Sequence, residues 1–91
     1  MLLQVMHALT VSIDHEGDVP VYIQLADLLR ARILSGELAP RRPVPSKRTL
    51  MQDYAVAGGT IDKAVAILRA EGLVRTVRGR GIYVTPEDQR H

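Results

Sequence analysis

The stretch Pro45-Ser-Lys-Arg-Thr-Leu-Met-Gln-Asp-Tyr-Ala-Val-Ala-Gly-Gly-Thr-Ile-Asp-Lys-Ala-Val-Ala-Ile-Leu-Arg-Ala-Glu-Gly72 decides the fold of this chain. It reads as a short helix, a tight connection and a longer helix. Ser46 is a good N-cap, since its side-chain oxygen accepts from a free amide of the first turn. The helix after it spans roughly Lys47 to Tyr54, with Leu50, Met51 and Tyr54 on its buried side. Ala55-Val-Ala57 makes the turn, and the second helix runs from about Gly58 to Glu71, where Gly72 stops it. Ile61, Ala64, Val65 and Leu68 follow the i, i+3, i+4, i+7 spacing of a core-facing stripe. Asp62, Lys63, Ala66 and Arg69 lie on its other face. Two helices joined by a few small residues can be a helix-turn-helix, whose second helix enters the DNA major groove. Any small helical domain contains helix pairs, so the flanking sequence has to decide.

Upstream, Glu37 to Pro45 contains Pro40, Pro43 and Pro45. The residue before each proline avoids the helical region, so this stretch is an extended connector. A helix precedes it, starting near Pro20, with Asp18 or Val19 flanking it as the cap. Ile23, Ala26, Leu29 and Ile33, with Leu25 and Leu28 beside them, give a broad apolar face, and Ser35-Gly36 ends the helix. Leu9-Thr-Val-Ser-Ile13 alternates with a period of two and reads as a short strand, followed by the polar turn Asp14 to Asp18. Residues 1–19 are therefore expected to form an N-terminal arm or short strand.

Downstream, Leu73–Val77 and Ile82–Thr85 are β-prone runs joined by Arg78-Gly79-Arg80-Gly81, a hairpin with a glycine- and arginine-rich tip. Pro86 to His91 reads as a polar tail with no packing signal. Three helices followed by a hairpin make residues 20–85 a mainly α winged helix-turn-helix with a small β-hairpin as the wing. A basic tip directly after a candidate recognition helix is hard to explain by core packing. Its glycines allow a tight turn and close backbone approach to a phosphate, and Arg78 and Arg80 can reach phosphate or the minor groove.

Composition narrows the function. Ninety-one residues make one domain, with no room for a separate small-molecule effector lobe. With 46% hydrophobic residues but no Phe and no Trp, the core is built from Leu, Ile, Val, Ala and three Tyr. The absence of Cys rules out a disulfide framework and a thiolate metal site, and fits a cytoplasmic location. The apolar run Met1 to Leu9 is too short to span a bilayer and lacks the charged start of a signal peptide, so no membrane association is expected. His7, His15 and His91 lack ligand spacing, and Asp14, Glu16 and Asp18 lack the spacing of a calcium loop. No catalytic constellation emerges. Gly79-Arg-Gly81 opens no helix and is no nucleotide fingerprint. The chain reads as a binding module without metal or cofactor, not as an enzyme.

The overall charge is only +2, but it is unevenly spread. Residues 1–39 carry two basic and five acidic residues, net −3, whereas residues 40–91 carry ten basic and five acidic, net +5. The basic residues concentrate in Arg41, Arg42, Lys47 and Arg48, then in Arg75, Arg78 and Arg80. Such a half is a polyanion-binding footprint when the fold brings it to one face. Arg30 and Arg32 are expected to pair with acidic neighbours or to solvate the first helix, and Tyr22 and Tyr54 to belong to the core.

Four linked segments carry a family resemblance. Residues Pro20 to Leu38 resemble the first helix of GntR-type bacterial transcription regulators, and Val44-Pro-Ser-Lys-Arg-Thr-Leu50 resembles their leucine-proline-serine-glutamate-arginine element. Leu68-Arg-Ala-Glu-Gly-Leu-Val74 and Gly79-Arg-Gly-Ile-Tyr-Val84 resemble the end of their recognition helix and their wing. The resemblance implies a sequence-specific DNA-binding regulator, usually a repressor and usually a homodimer on a palindromic operator in double-stranded DNA. It also implies that Arg48, the helix start at Ala57, Gly58, Gly59 and Thr60, and the tip at Arg78 and Gly79 touch DNA. Ser46, Lys47, Lys63 and Arg80 complete the expected DNA-binding set.

The chain departs from the pattern at three places. Members commonly carry Ser or Thr and then Arg where it has Ala57 and Gly58, and many carry a basic residue where it has Asp62. Ala57 is a poor N-cap by about 1 kcal/mol, and each glycine costs about 1 kcal/mol in a helix. In return, small residues let the helix N-terminus approach a phosphate. Thr60 can then bond a phosphate or meet a thymine methyl. Lys63 can reach a base or a backbone oxygen. Asp62 accepts from a cytosine amine or repels non-cognate phosphates. Two rival readings stay open: a DNA-binding fragment of a longer effector-responsive regulator, and a winged-helix module for protein–protein contact.

Overall fold

The computed structural model describes residues 13–90. The strand expected over Leu9–Ile13 falls, but for Ile13, outside these residues. Ile13 itself is irregular and packs against the core. Three helices follow in order, α1 (Val21–Leu34), α2 (Lys47–Tyr54) and α3 (Gly58–Ala70), and then two strands, β1 (Val74–Val77) and β2 (Gly81–Val84).

The start of α1 differs from the sequence expectation. Pro20 is itself the cap, in an extended conformation, and its carbonyl accepts from the amides of Ile23 and Gln24 at 3.0 and 3.2 Å. Neither Asp18 nor Val19 caps the helix. The Gln24 side chain instead pins the preceding turn, accepting from the Asp14 amide at 2.8 Å and donating to the carbonyls of Asp14 and Val19 at 2.9 and 2.8 Å. Leu25, Ala26, Leu29 and Ile33 are buried, and they face Ile61, Ala64 and Leu68 of α3. Leu50 of α2 closes the core from one side, and Leu73, Val74 and Val84 close it from the wing.

Ser46 caps α2 as expected, its Oγ accepting from the Thr49 amide at 3.2 Å. The helix ends at Ala55, which sits in the left-handed region at φ 55° and ψ 50° while Val56 donates to the Met51 carbonyl at 3.2 Å. A residue with a Cβ pays about 1–2 kcal/mol for that conformation. Gly72, at φ 78°, ends α3 with no such penalty, and Leu73 donates back to the Leu68 carbonyl at 3.0 Å.

The hairpin is antiparallel, with Val74 opposite Val84 and Val77 opposite Gly81. The connector is more than a spacer. It runs antiparallel along β2, with Val44 donating to Ile82 at 2.8 Å, Val84 donating to Arg42 at 3.0 Å and Arg41 donating to Val84 at 2.9 Å. Pro43 lies opposite Tyr83 and needs no ladder donor, which suits an edge position. The architecture is a winged helix-turn-helix whose wing is braced by the chain that leads into α2.

Residues 86–90, expected as an unpacked tail, turn back on the wing. Pro86 is buried, and Glu87–Gln89 form a 3-10 turn. Arg75 donates to the Gln89 side chain at 2.7 Å, and Arg90 donates to the Thr85 carbonyl at 3.0 Å. Arg30 and Arg32 pair internally. Arg30 binds both carboxylate oxygens of Glu71 and one of Asp27, each at 2.7 Å, and so ties α1 to the end of α3. Arg32 binds Glu37 at 2.7 Å and the Tyr54 hydroxyl at 3.1 Å, linking α1 to α2. Among the described residues no helix is long and apolar enough to cross a membrane.

Two stability predictions follow from these details. Ala55→Gly relieves the left-handed alanine and is expected to raise unfolding free energy by about 0.5–1 kcal/mol in denaturant titration, glycine's greater unfolded-state entropy offsetting the rest. The hydrogen bonds from Arg30 hold the Glu71 carboxyl below its ordinary value. That contribution is present above the ordinary carboxylate range and is lost as pH falls through the lowered folded value. Glu71→Gln should therefore cost up to about 1 kcal/mol near neutral pH for this partly exposed pair. Its melting curve should converge on that of the parent chain in strongly acidic buffer.

Candidate nucleic-acid interface

Three places present the expected contact residues: the start of α2, the start of α3 and the wing tip. At the first, the Ser46 hydroxyl is engaged within its own cap, accepting from the Thr49 amide and donating to Thr49 Oγ1 at 2.9 Å. Its freedom to bond a phosphate is reduced accordingly. Arg48 is exposed, and its guanidinium has no hydrogen-bond or ion-pair partner among the described residues.

Lys47 does something the sequence did not reveal. Its side chain crosses to α3, and its Nζ lies 3.0 Å from Asp62 Oδ2. The crossing passes directly over Gly58, where an added Cβ would stand 2.8 Å from Lys47 Cε. Gly58 is thus the space through which a lysine of α2 reaches the recognition helix. Gly59 faces open space, and nothing would meet a side chain there.

Ala57 gives α3 no side-chain cap, while its carbonyl accepts from the amides of Thr60 and Ile61 at 3.1 and 3.3 Å. The amides of Gly58 and Gly59, at the first two helical positions, have no partner within the helix. Thr60 is half-buried beside them. Lys63 stands apart from this group. Its ammonium lies 5.3 Å from the centre of the Tyr22 ring, a cation–π distance that turns it toward α1.

At the tip, Arg80 donates its amide to the Val77 carbonyl at 2.9 Å, closing a four-residue turn with Gly79 at φ 77°. A positive φ at that third position is what a type II turn requires. Arg78 and Arg80 are exposed on this turn. The wing tip also lies close to the start of α2, since Ser46, Lys47, Arg80 and Gly81 line one groove floored by Val44 and Pro45. The structure therefore brings Ser46, Lys47 and Arg80 together, with Gly58 linked to them through Lys47. Lys63 is not part of that group.

The ion pairs sort the basic residues. Arg30, Arg32 and Lys47 face carboxylates, whereas Arg41, Arg42, Arg48, Arg78 and Arg80 have no acidic partner among the described residues. Arg69 has no acidic partner among the described residues and donates to the Thr76 hydroxyl at 3.1 Å. Arg41 and Arg42 were visible in the sequence only as a charge run. Their place beside β2 follows from the connector's pairing, which has no sequence signature. Among the described residues no three His, Asp or Glu side chains gather as a metal ion would need.

Comparison with known proteins agrees with this architecture. The family described as "Bacterial regulatory proteins, gntR family" matches residues 21–84. The HTH-type transcriptional repressor NagR of Bacillus subtilis is 32% identical over 74 residues, which are 81% of this chain and 30% of NagR. The repressor YtrA of the same organism is 32% identical over 75 residues, 82% of this chain and 58% of YtrA. The chain thus spans less than two thirds of the length of these relatives. Among solved structures, the GntR-family transcription factor YtrA from Sulfolobus acidocaldarius superposes with a TM-score of 0.75 at 36% identity, covering 85% of this chain and 81% of that one. The DNA-binding domain of AraR in complex with operator ORE1 superposes with a TM-score of 0.71 at 32% identity, covering 80% and 89%. With the family pattern running from the start of α1 to the end of β2, the chain belongs to the GntR family of bacterial regulatory proteins.

Proposed function

We propose that this protein is a sequence-specific DNA-binding transcription regulator acting as a repressor. Residues 20–85 are its DNA-binding unit, and the cytoplasm is where it meets its operator. The observation that carries the reading is a set of exposed arginines with no acidic partner among the described residues, Arg48 on α2 and Arg78 and Arg80 on the wing, together with the groove that Arg80 shares with Lys47, whose side chain lies over Gly58 at the start of α3. The first turn of α3 enters the major groove, where its free amides and the positive end of the helix dipole favour a phosphate. Arg48 anchors to the backbone beside it. The wing tip reaches the adjacent backbone or minor groove. The AraR domain held on its operator has the same fold, which supports this mode of docking.

The repressors NagR and YtrA are longer than this chain, which matches only part of each. We place the chain as the DNA-reading part of such a regulator, acting as a homodimer on a palindromic operator. Binding, not catalysis, is its role.

Phosphate neutralisation by arginine releases counterions, so affinity for duplex DNA should fall steeply with salt. Arg48→Ala and Arg78→Ala, measured by fluorescence anisotropy over a salt series, should each weaken binding and lower the slope of log K against log salt by about one. If both variants bind duplex with unchanged affinity and slope, the assigned contacts are wrong. A winged helix serving protein–protein contact would show no such salt-dependent affinity for duplex at all.

A further inference from the structure

Lys47 and Asp62 look at first like an ordinary surface ion pair, and such a pair is worth at most about 1 kcal/mol. Their setting is not ordinary. One partner stands on the first turn of α2 and the other on the second turn of the recognition helix, with their charged atoms 3.0 Å apart. Lys47 and Asp62 remain 52% and 64% exposed, so the pair is open to a ligand. Gly58, directly beneath the lysine stem, contributes no side chain that would screen the pair from the groove.

The result is one cationic donor beside one anionic acceptor on the face that docks. A G·C base pair presents the complement in the major groove. Guanine offers O6 and N7 as acceptors, and cytosine offers its N4 amine as a donor. O6 and N4 are hydrogen-bonded to each other within the base pair, so they lie about 2.9 Å apart. The spacing of donor and acceptor on the protein thus matches their spacing on the base-pair edge. An A·T pair offers an acceptor and a donor at the same spacing, thymine O4 and adenine N6, so the preference for G·C rests on guanine's second acceptor N7 beside O6 and on the thymine methyl that crowds O4.

We propose that Lys47 and Asp62 act as a single reader of one G·C base pair in each half-site. Lys47 donates to guanine O6 and N7, and Asp62 accepts from the cytosine amine. Gly58 is a positioning residue, kept small so that the lysine can cross. Specificity at that step then resides in a pair shared between two helices and not in any one recognition-helix side chain. This inference rests on the DNA-binding reading above.

The test is selection of bound duplexes from a random pool, using the full chain and its Lys47→Ala, Asp62→Ala, Lys47→Arg and Gly58→Ala variants. The parent chain is expected to enrich one G·C column per half-site. Lys47→Ala and Asp62→Ala should flatten that same column, with discrimination reduced about tenfold. Asp62→Ala should meanwhile bind arbitrary duplex more tightly, having lost a negative charge. Lys47→Arg should keep the column. Gly58→Ala should weaken it while raising thermal stability, since alanine favours the helix. Melting curves confirm that each variant is folded.

Three outcomes overturn the proposal: no G·C column in the parent chain, a column indifferent to Asp62→Ala, or different columns responding to Lys47 and Asp62. An Asp62 that merely repels phosphate would shift affinity for all sequences alike and leave the column intact. If the pool yields no enrichment and duplex binding lacks salt dependence, the DNA-binding reading itself has failed, and this inference falls with it. Retained enrichment with an indifferent column defeats the inference alone.

Discussion

Ile61, Ala64 and Leu68 have to turn toward α1, because a chain without Phe or Trp has few other ways to make a core. Each buried leucine or isoleucine contributes about 1.5–3 kcal/mol, against a total stability of about 5–15 kcal/mol for a small domain. The exposed ion pairs, at up to about 1 kcal/mol each, are minor beside this. Burying that stripe against Leu25, Leu29 and Ile33 fixes how α3 is rotated about its own axis. The rotation in turn leaves Gly59, Asp62 and Lys63 on the exposed side. The outward face of the recognition helix is therefore decided by apolar packing on its inward face.

The connector extends that constraint to the wing. Pairing of Arg41–Val44 with β2 holds the start of α2 at a fixed distance from the hairpin. Without it, a two-stranded hairpin attached at one end would be only marginally ordered. With it, Ser46, Lys47 and Arg80 share a groove. The prolines fit this arrangement because they preset an extended chain and remove donors that an edge would leave unpaired.

Much of this was legible in the sequence, and the failures have a common cause. The helices, the Ser46 cap and the hairpin announce themselves through local signals: a 3.6-residue period, a serine before a helix, glycines between β-prone runs. What was missed depends on partners distant in sequence. At the start of α1 Pro20 caps in place of Asp18 and Val19, and Gln24 fastens the preceding turn by reaching back to Asp14, ten residues away. The connector's ladder joins residues some forty positions apart, and the proline-rich run hides any period-two pattern. Residues 86–90 are polar and look unpacked, yet Gln89 and Arg90 find their partners across the wing. At the site, the sequence offers Lys63 and Lys47 alike, and their partners separate them: Tyr22 turns Lys63 toward α1, whereas Asp62 holds Lys47 across Gly58.

The departures from the family pattern change meaning in the same way. Read singly, a lysine in the place of the element's glutamate looks like a simple gain of positive charge, whereas a glycine for an arginine and an aspartate for a basic residue look like losses of DNA-reading capacity. In three dimensions Lys47, Gly58 and Asp62 are a single arrangement, in which the glycine makes room and the two charges meet across it. The sign of each charge makes sense only against the other. A basic residue at position 62 facing Lys47 would repel it, and an acidic residue at position 47 would repel Asp62. Substitutions at these three positions are therefore coupled through contact, and their effects on stability or binding are not additive. The absence of an arginine at Gly58 does not leave the helix start without a basic group, because Lys47 brings one there from α2.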